Sequence, residues 1–269
     1  MTGFSADWLR LREPADHAAR NVSVCDMVVQ YLNQTDGAVI VDLASGTGST
    51  VRALSEKVLV DQHWHLVDND EVLLQEAATS ISSMQRKSLS VQTHKLDLNR
   101  FPSGLTAIRP NLITTSAFVD LASVDWLSKL VTYALMERIP VYTALTYSGS
   151  VSFSQSDPAD DLVIEAFNTH QLNDKGFGPA LGPLAADRIT KLFKVARFHT
   201  IERESDWVLG SEQASLQKEL LKGWAQAIAE TDHISSDDAD AWLARRLEHI
   251  ENGQSQITIS HKDVAAFPK

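Results

Sequence analysis

Hydrophobic residues follow two alternating patterns along the chain. One is a spacing of three to four residues, typical of an amphipathic helix, as from Ala18 to Leu32. The other is a continuous run of β-prone residues, typical of a buried parallel strand, as from Val39 to Val41. The patterns predict strands at 39–42, 63–67, 89–96, 110–115 and 141–146. They also predict helices at 49–58 and 124–138, and a further helix that begins after a cap at Asp70. Strands that alternate with helices indicate a parallel sheet in a doubly wound α/β fold.

The alternation breaks after residue 147. The segment 148–183 is too long for an ordinary connection, and it combines a helix start at Asp157-Pro158 with a later stretch rich in glycine and proline. An amphipathic helix followed by such hinges predicts a substrate lid. Beyond it, the spacing predicts helices at 184–195, 212–229 and 237–250, and strands at 197–202 and 256–261.

These elements predict one domain over residues 1–269. Its fold class is α/β, with a doubly wound, mostly parallel seven-stranded sheet, helices on both faces and helical lid insertions. We divide it into an N-terminal helical cap (1–37), a cofactor-binding core (38–147), a lid (148–183) and a C-terminal part of the fold with added helices (184–269).

The first predicted strand ends at an acid and opens into a glycine-rich turn, Asp42-Leu43-Ala44-Ser45-Gly46-Thr47-Gly48. Glycines let the backbone approach a ligand closely, and nucleotide-type ligands bind where such a turn meets a helix N-terminus. Dinucleotides and S-adenosylmethionine are the two cofactor classes that fit a turn of this kind. The dinucleotide fingerprint requires a third small residue, and this chain has Val51 there, which disfavours a dinucleotide.

Four motifs in order resemble those of the class I S-adenosylmethionine-dependent methyltransferases: Asp42–Gly48, Leu66–Asp70, Leu96–Leu98 and Ser116–Phe118. The resemblance covers residues 38–147, and the late strands would supply the family's closing antiparallel pair. It implies that Asp68 binds the ribose hydroxyls, that Asp97 binds the adenine amino group, and that residues 116–118 lie under the methionine part and face the substrate. The implied cofactor is S-adenosyl-L-methionine, held by Asp42, Ala44, Ser45, Gly46, Gly48, Asp68, Asn69, Asp97, Leu98, Ser116 and Ala117.

Ala44 stands where many members of that family have glycine. We expect this alanine to keep a negative φ, as in a strand, and cofactor binding to survive the extra methyl group.

Methyl transfer is an in-line displacement, in which orienting the nucleophile is worth about 7–11 kcal/mol. A general base adds about 10²–10⁴-fold and matters mainly for hydroxyl or ammonium acceptors. His170 and Asp120 are the candidate catalytic residues. Structural alternatives stay open, since His170 could complement a helix C-terminus and Asp120 could cap a helix. The residues predicted to bind the acceptor are Phe118, Tyr147, Lys175 and Phe177.

Composition narrows the classes of partner. A net charge of −11 without a basic patch disfavours nucleic acids and anionic membranes. The single cysteine, Cys25, excludes an internal disulfide, and His63 and His65 lack a third ligand nearby, so no metal is expected. No apolar run reaches membrane-spanning length, and the acidic N-terminus is unlike a signal peptide, so the expected location is cytoplasmic.

The predicted function is therefore methyl transfer to an oxygen or nitrogen of a small-molecule acceptor. An acidic surface and the lack of an Asn-Pro-Pro-aromatic or Asp-Pro-Pro-aromatic motif after strand four favour a small molecule. Two alternatives remain: a dinucleotide-dependent oxidoreductase, and a non-catalytic protein that binds the cofactor. No feature of the sequence indicates an oligomeric state.

Overall fold

The protein is described by a computed structural model that covers residues 4–231 and 233–269. The strands are β1 (Ala38–Leu43), β2 (Gln62–Asp68), β3 (Leu89–Lys95), β4 (Leu112–Ser116), β5 (Val141–Phe153), β6 (His199–Glu204), β7 (Trp207–Leu209) and β8 (Ile257–Phe267). The helices are α1 (Ala6–Ala19), α2 (Val22–Leu32), α3 (Ser49–Leu54), α4 (Glu71–Ser82), α5 (Val124–Glu137), α6 (Asp160–Gln171), α7 (Ala185–Val195), α8 (Ala214–Ala229) and α9 (Ser236–Glu251).

The strands form one mixed sheet in the order β3-β2-β1-β4-β5-β8-β6. The strands from β3 to β5 are parallel, while β8 runs antiparallel to β5 and β6. The predicted α/β fold with a mostly parallel sheet is confirmed. The short strand β7 was not predicted, and it pairs with β8 as an eighth strand.

Both faces of the sheet are buried by helices, which explains the continuous apolar runs. Successive side chains of a strand point to opposite faces. Ile40 therefore packs with α2, α3 and α4 on one face, and Val41 packs with α5 and α7 on the other. A third cluster joins α6, α8 and α9 to β7 and the start of β8.

Three predicted boundaries were wrong. β8 does not end at residue 261 but continues to Phe267, because it pairs there with β5 and β6. β5 does not end at residue 146 but continues to Phe153, because β8 pairs with it as far as the Phe153–Ile257 register. The inserted segment therefore begins after Phe153. α3 ends at Leu54 rather than at residue 58, and the Gln62 amide donates to the carbonyl oxygens of Ser55 and Val58 (2.9 Å each).

Asp70 caps α4 as predicted, accepting hydrogen bonds from the backbone N–H groups of Val72 and Leu73. This cap fixes the direction in which the chain leaves β2, at the sheet edge where the glycine turn lies. Within the described residues, no helix has both the length and the apolar character needed to cross a bilayer.

Candidate active site

A cavity of about 640 Å³, here called the first cavity, lies at the carboxyl ends of β1, β2 and β4. Residues of α1 close it on one side, among them Leu9, Arg12 and Asp16. The structure brings these predicted cofactor residues together in its wall: Ala44, Ser45, Gly46, Asp68, Asn69, Leu98, Ser116 and Ala117. Phe118 and Phe177, predicted to bind the acceptor, also line this cavity.

Asp68 holds the glycine turn in place. Its carboxylate accepts hydrogen bonds from the backbone N–H groups of Gly46 (2.8 Å) and Asp70 (3.0 Å). Burial raises the pKa of Asp68 above its usual value, and these bonds to the ionised form oppose that rise. Because each carboxylate oxygen can accept more than one hydrogen bond, Asp68 retains acceptor capacity toward the cavity.

Gly46 and Gly48 have positive φ angles of 52° and 82°. A Cβ atom on Gly46 would lie 3.0 Å from Leu9 Cδ1 in α1. A Cβ atom on Gly48 would lie 2.9 Å from Ile81 Cδ1 in α4. The glycines therefore allow both the backbone turn and the close approach of two helices to it.

Ala44 also has a positive φ, at 52°, so the expected negative φ was wrong. β1 ends at Leu43, one residue before Ala44. The chain turns at Ala44 while the next N–H, that of Ser45, still donates to the Val67 carbonyl of β2 (3.1 Å). A left-handed conformation costs a non-glycine residue roughly 1–2 kcal/mol.

Replacement of Ala44 by glycine should therefore raise the free energy of unfolding, by about 0.5–1 kcal/mol after the entropy of glycine in the unfolded chain is counted. Urea unfolding of both proteins measures the change. In the control Ala244→Gly, at an exposed position inside α9, a loss of about 1 kcal/mol is expected. A loss of similar size in Ala44→Gly would show that this turn carries no strain.

Asp42, Gly48 and Asp97 are not among the residues that line the first cavity. Asp42 is fully buried beneath it, and burial raises its pKa to about 7 despite the nearby charge of Arg20. Asp97 is exposed beside the cavity residue Leu98 and accepts hydrogen bonds from the Asn99 backbone and amide (2.9 and 3.0 Å). Of the three predicted carboxylates, Asp68 is the one placed in the wall.

A second cavity of about 650 Å³ adjoins the first. The two share the lining residues Phe4, Arg12, Ala117, Leu121 and Lys175. Of the predicted catalytic and acceptor residues, the second cavity contains Asp120, His170, Tyr147 and Lys175. The structure therefore divides the predicted site into two connected chambers, with Lys175 at their boundary.

Comparisons with known proteins agree with this geometry at the level of the fold. No protein-family model matches the sequence, and no curated protein matches it. The chain resembles a cyclopropane-fatty-acyl-phospholipid synthase-like protein from Lactobacillus casei, with a TM-score of 0.58 and 12% identity over 98% of this chain and 95% of that one. It also resembles the cyclopropane synthase MmaA2 from Mycobacterium tuberculosis, with a TM-score of 0.54 and 11% identity over 98% of this chain and 94% of that one. A third similar structure is the mycolic acid cyclopropane synthase CmaA1 complexed with SAH and CTAB, with a TM-score of 0.51 and 13% identity over 97% of this chain and 94% of that one. The chain has the class I methyltransferase fold.

Within this methyltransferase fold, Asp120 lies in a short helical turn directly after β4. It does not cap α5, because Ser123 does so through the Trp126 N–H (3.3 Å). Asp120 is only 9% exposed, and burial raises its pKa to about 6. No side chain of the described residues donates a hydrogen bond to it. The geometry leaves a buried carboxylate available to a ligand.

Both ring nitrogens of His170 are occupied. Lys175 Nζ donates to Nδ1 (3.3 Å), so Nε2 carries the proton and donates to Glu230 Oε2 (3.2 Å). Burial lowers the pKa of Lys175. This arrangement suits His170 to positioning Lys175 at the boundary of the cavities rather than to taking a proton. Glu230, which completes it, was not predicted from the sequence.

Phe177 anchors the lid segment to the core. Its ring packs edge-to-face on Phe118, with centroids 5.0 Å apart at 89°, and lies 6.3 Å from Trp126. The Leu181 N–H donates to the Ala122 carbonyl (2.9 Å). The segment after α6 therefore forms a fixed wall of the first cavity.

Several wall residues of the methyltransferase-fold site were missed from the sequence. In α1, the wall residues Leu9, Arg12 and Asp16 recur at helical spacing. The charged residues Arg12 and Asp16 on the face of Leu9 were the sequence signal that could have indicated a site there. Trp207 and Trp224, both largely buried, also line the second cavity and were not predicted as site residues. Within the described ranges, no cluster of three or more His, Cys, Asp or Glu side chains is arranged to hold a metal ion.

Proposed function

We propose that the protein transfers a methyl group from S-adenosylmethionine to an oxygen or nitrogen atom of a small-molecule acceptor. The observation that carries the proposal is the junction of two cavities of similar volume, one at the glycine turn and one at a buried carboxylate. Ligands in the two cavities would meet at Ala117 and Leu121, which line both. The resemblance of the fold to CmaA1, which was solved with SAH, supports the choice of cofactor.

The residues of the first cavity fit an adenosine-type cofactor. Asp68, at the end of β2, has the acceptor capacity to bind two ribose hydroxyls. Ser45 Oγ is buried and has no hydrogen-bond partner among the described residues, so a ligand group could satisfy it. Bound S-adenosylmethionine would supply a methyl group on a positively charged sulfur. The protein's own task is then to orient the acceptor in line with that methyl group and to exclude water.

The second cavity fits a small acceptor. Its volume of about 650 Å³ falls within the usual range of small-ligand sites, about 300–1,000 Å³. Asp120 is the group best placed to accept a proton from an acceptor hydroxyl or amine, since its raised pKa keeps it close to the pH at which a base works efficiently. His170 and Glu230 hold Lys175 in the wall that the two cavities share.

Calorimetric titration with S-adenosylmethionine, S-adenosylhomocysteine and NAD tests the cofactor assignment. We expect the first two to bind and NAD not to bind. Tight binding of NAD alone would overturn the proposal. Incubation with S-adenosylmethionine and a metabolite extract, followed by mass spectrometry, should then reveal a product heavier by one methyl group.

Replacement of Asp68 by asparagine should weaken S-adenosylhomocysteine binding by about 10–100-fold, because a hydrogen bond to a charged group is worth about 1.5–3 kcal/mol. The matched control is Asp61→Asn, at an exposed position just before the other end of β2, which should leave the affinity unchanged. Equal affinity of wild type and Asp68→Asn would remove Asp68 from the cofactor site.

A further inference from the structure

We propose that the methyl acceptor is a flat, uncharged aromatic molecule with a hydroxyl group, bound in the second cavity with that hydroxyl at Asp120. The inference rests on the proposed methyl transfer and names its substrate class. The acceptor oxygen would form a bond to the methyl carbon while the bond from that carbon to sulfur breaks, leaving its electron pair on sulfur. The hydroxyl proton would pass to Asp120 and then to solvent. The products are an aryl methyl ether and S-adenosylhomocysteine.

Aromatic rings from five different elements form the wall of the second cavity: Trp8, Tyr147, Phe167, Trp207 and Trp224. Mutual packing fixes the orientations of three of these rings. Phe167 stacks on Trp224 with centroids 4.5 Å apart at 24°, and Tyr147 meets Phe167 edge-on at 5.8 Å and 75°. Rings held in this way favour binding of an aromatic ligand, because paired aromatic groups gain more binding free energy than the burial of their area alone provides.

The charges of the wall disfavour an ionic acceptor. The Arg12 guanidinium covers the ring of Trp207 at 4.8 Å and pairs with Asp16 through two hydrogen bonds (2.9 and 3.0 Å). The wall carries charges of both signs, Arg12 and Lys175 against Asp120 and Glu219, so a permanent cation would still meet like charges, and one aromatic face that could bind it is already taken. An anion would meet the carboxylate of Asp120. An uncharged acceptor avoids both repulsions.

The buried carboxylate of Asp120 requires a donor from the ligand, and the buried Trp8 indole N–H, also without a partner among the described residues, can donate to the oxygen of the same hydroxyl. The Tyr147 hydroxyl does not serve Asp120, because it donates to Asn168 Oδ1 (2.8 Å). His261 Nδ1 donates to the Ile259 carbonyl (3.0 Å), so its Nε2 carries no proton and cannot donate either. Burial holds the pKa of His261 at about 4, which keeps this ring neutral. A ligand hydroxyl would satisfy the buried carboxylate that these neighbours leave open.

The place of Asp120 connects this hydroxyl to the first cavity. Asp120 directly precedes Leu121 and follows Ala117 by one short turn, and both of those residues line the two cavities. A hydroxyl held at Asp120 therefore lies at the junction, where the acceptor oxygen must be for an in-line transfer.

The test compares three probes of similar size on the protein saturated with S-adenosylhomocysteine: 2-naphthol, naphthalene and the fully saturated decahydro-2-naphthol. Calorimetry should show that 2-naphthol binds about tenfold or more tightly than either of the others. Asp120→Asn should weaken 2-naphthol binding about tenfold and leave naphthalene binding unchanged. Trp224→Leu should reduce the advantage of 2-naphthol over its saturated counterpart.

Equal or tighter binding of decahydro-2-naphthol would overturn the proposal, since the cavity would then recognise an apolar shape without selecting a flat ring. Failure of 2-naphthol to bind up to its solubility limit would overturn it as well. The affinity for S-adenosylhomocysteine, measured on every variant, shows that the protein is folded. If the wild type does not bind S-adenosylhomocysteine, the proposed function is contradicted. If it binds S-adenosylhomocysteine but does not prefer 2-naphthol to the other two probes, only the aromatic acceptor is contradicted.

Discussion

Replacement of Asp120 by asparagine is expected to lower kcat/KM for methyl transfer by about 10²–10⁴-fold, the usual contribution of a general base. Asparagine keeps the shape of the side chain but cannot accept the acceptor's proton. The same change should alter the pH dependence. Burial raises the pKa of Asp120 to about 6, so the ionised form that acts as a base predominates above that pH and is lost below it.

The wild-type kcat/KM should therefore fall with decreasing pH below about 6, while the small residual rate of Asp120→Asn should lack this limb. Rates measured from pH 5 to 8 on the acceptor found by mass gain would check both results. Asp125→Asn, an exposed acid at the start of α5, is the matched control and should keep the wild-type profile. An unchanged rate in Asp120→Asn would show that orientation of the acceptor suffices without this base.

His170 provides a contrast with Asp120. Because Lys175 and Glu230 occupy both of its ring nitrogens, its loss should displace Lys175 from the shared wall and raise KM more than it lowers kcat. The sequence could suggest His170 from its residue type, but the choice between the two candidates depends on contacts such as that of Glu230, directly after α8. Those contacts join distant parts of the chain and have no local signal.

The part of the site that was predictable is the part encoded by short stretches of sequence. The run from Val39 to Val41 indicated a strand buried on both faces, and the glycines after it indicated a tight turn against a ligand. Asp68 ends β2, and the cap at Asp70 follows two residues later. Such features depend on residues that are close in the sequence, so they can be predicted without knowledge of the tertiary packing.

The strand pleat explains why Asp42 does not line the first cavity. Its side chain lies on the same face of β1 as Ile40, two residues earlier, and that face packs on helices. Ala44 was misjudged because its left-handed φ is imposed by the bond from Ser45 to β2, which composition does not reveal. The aromatic wall of the second cavity was not predicted for a similar reason, since its rings come from distant parts of the chain.

Replacement of Arg246 by methionine is the second change with a large expected effect, a loss of about 3–5 kcal/mol of the free energy of unfolding. Arg246 is 2% exposed, and its guanidinium binds both carboxylate oxygens of Asp160 at the start of α6. It also donates to the Gln155 carbonyl (2.6 Å) and lies over the Phe153 ring at 3.9 Å. Methionine would fill much of the space but leave the charge of Asp160 buried without its partner.

Urea unfolding of three variants separates that charge effect from lost packing. In Arg246→Met with Asp160→Asn, part of the stability should return, because no unpaired charge remains in the interior. The adjacent Arg245→Met breaks a pair in which the arginine is exposed and Asp157 is buried, and it should lower the unfolding midpoint by less than Arg246→Met does, because solvent reaches one partner of that pair. Equal midpoints for Arg246→Met and Arg245→Met would show that the buried pair does not hold α6 to α9. Because α6 carries Phe167 and His170, such a result would also mean that the wall of the second cavity is fixed by other contacts.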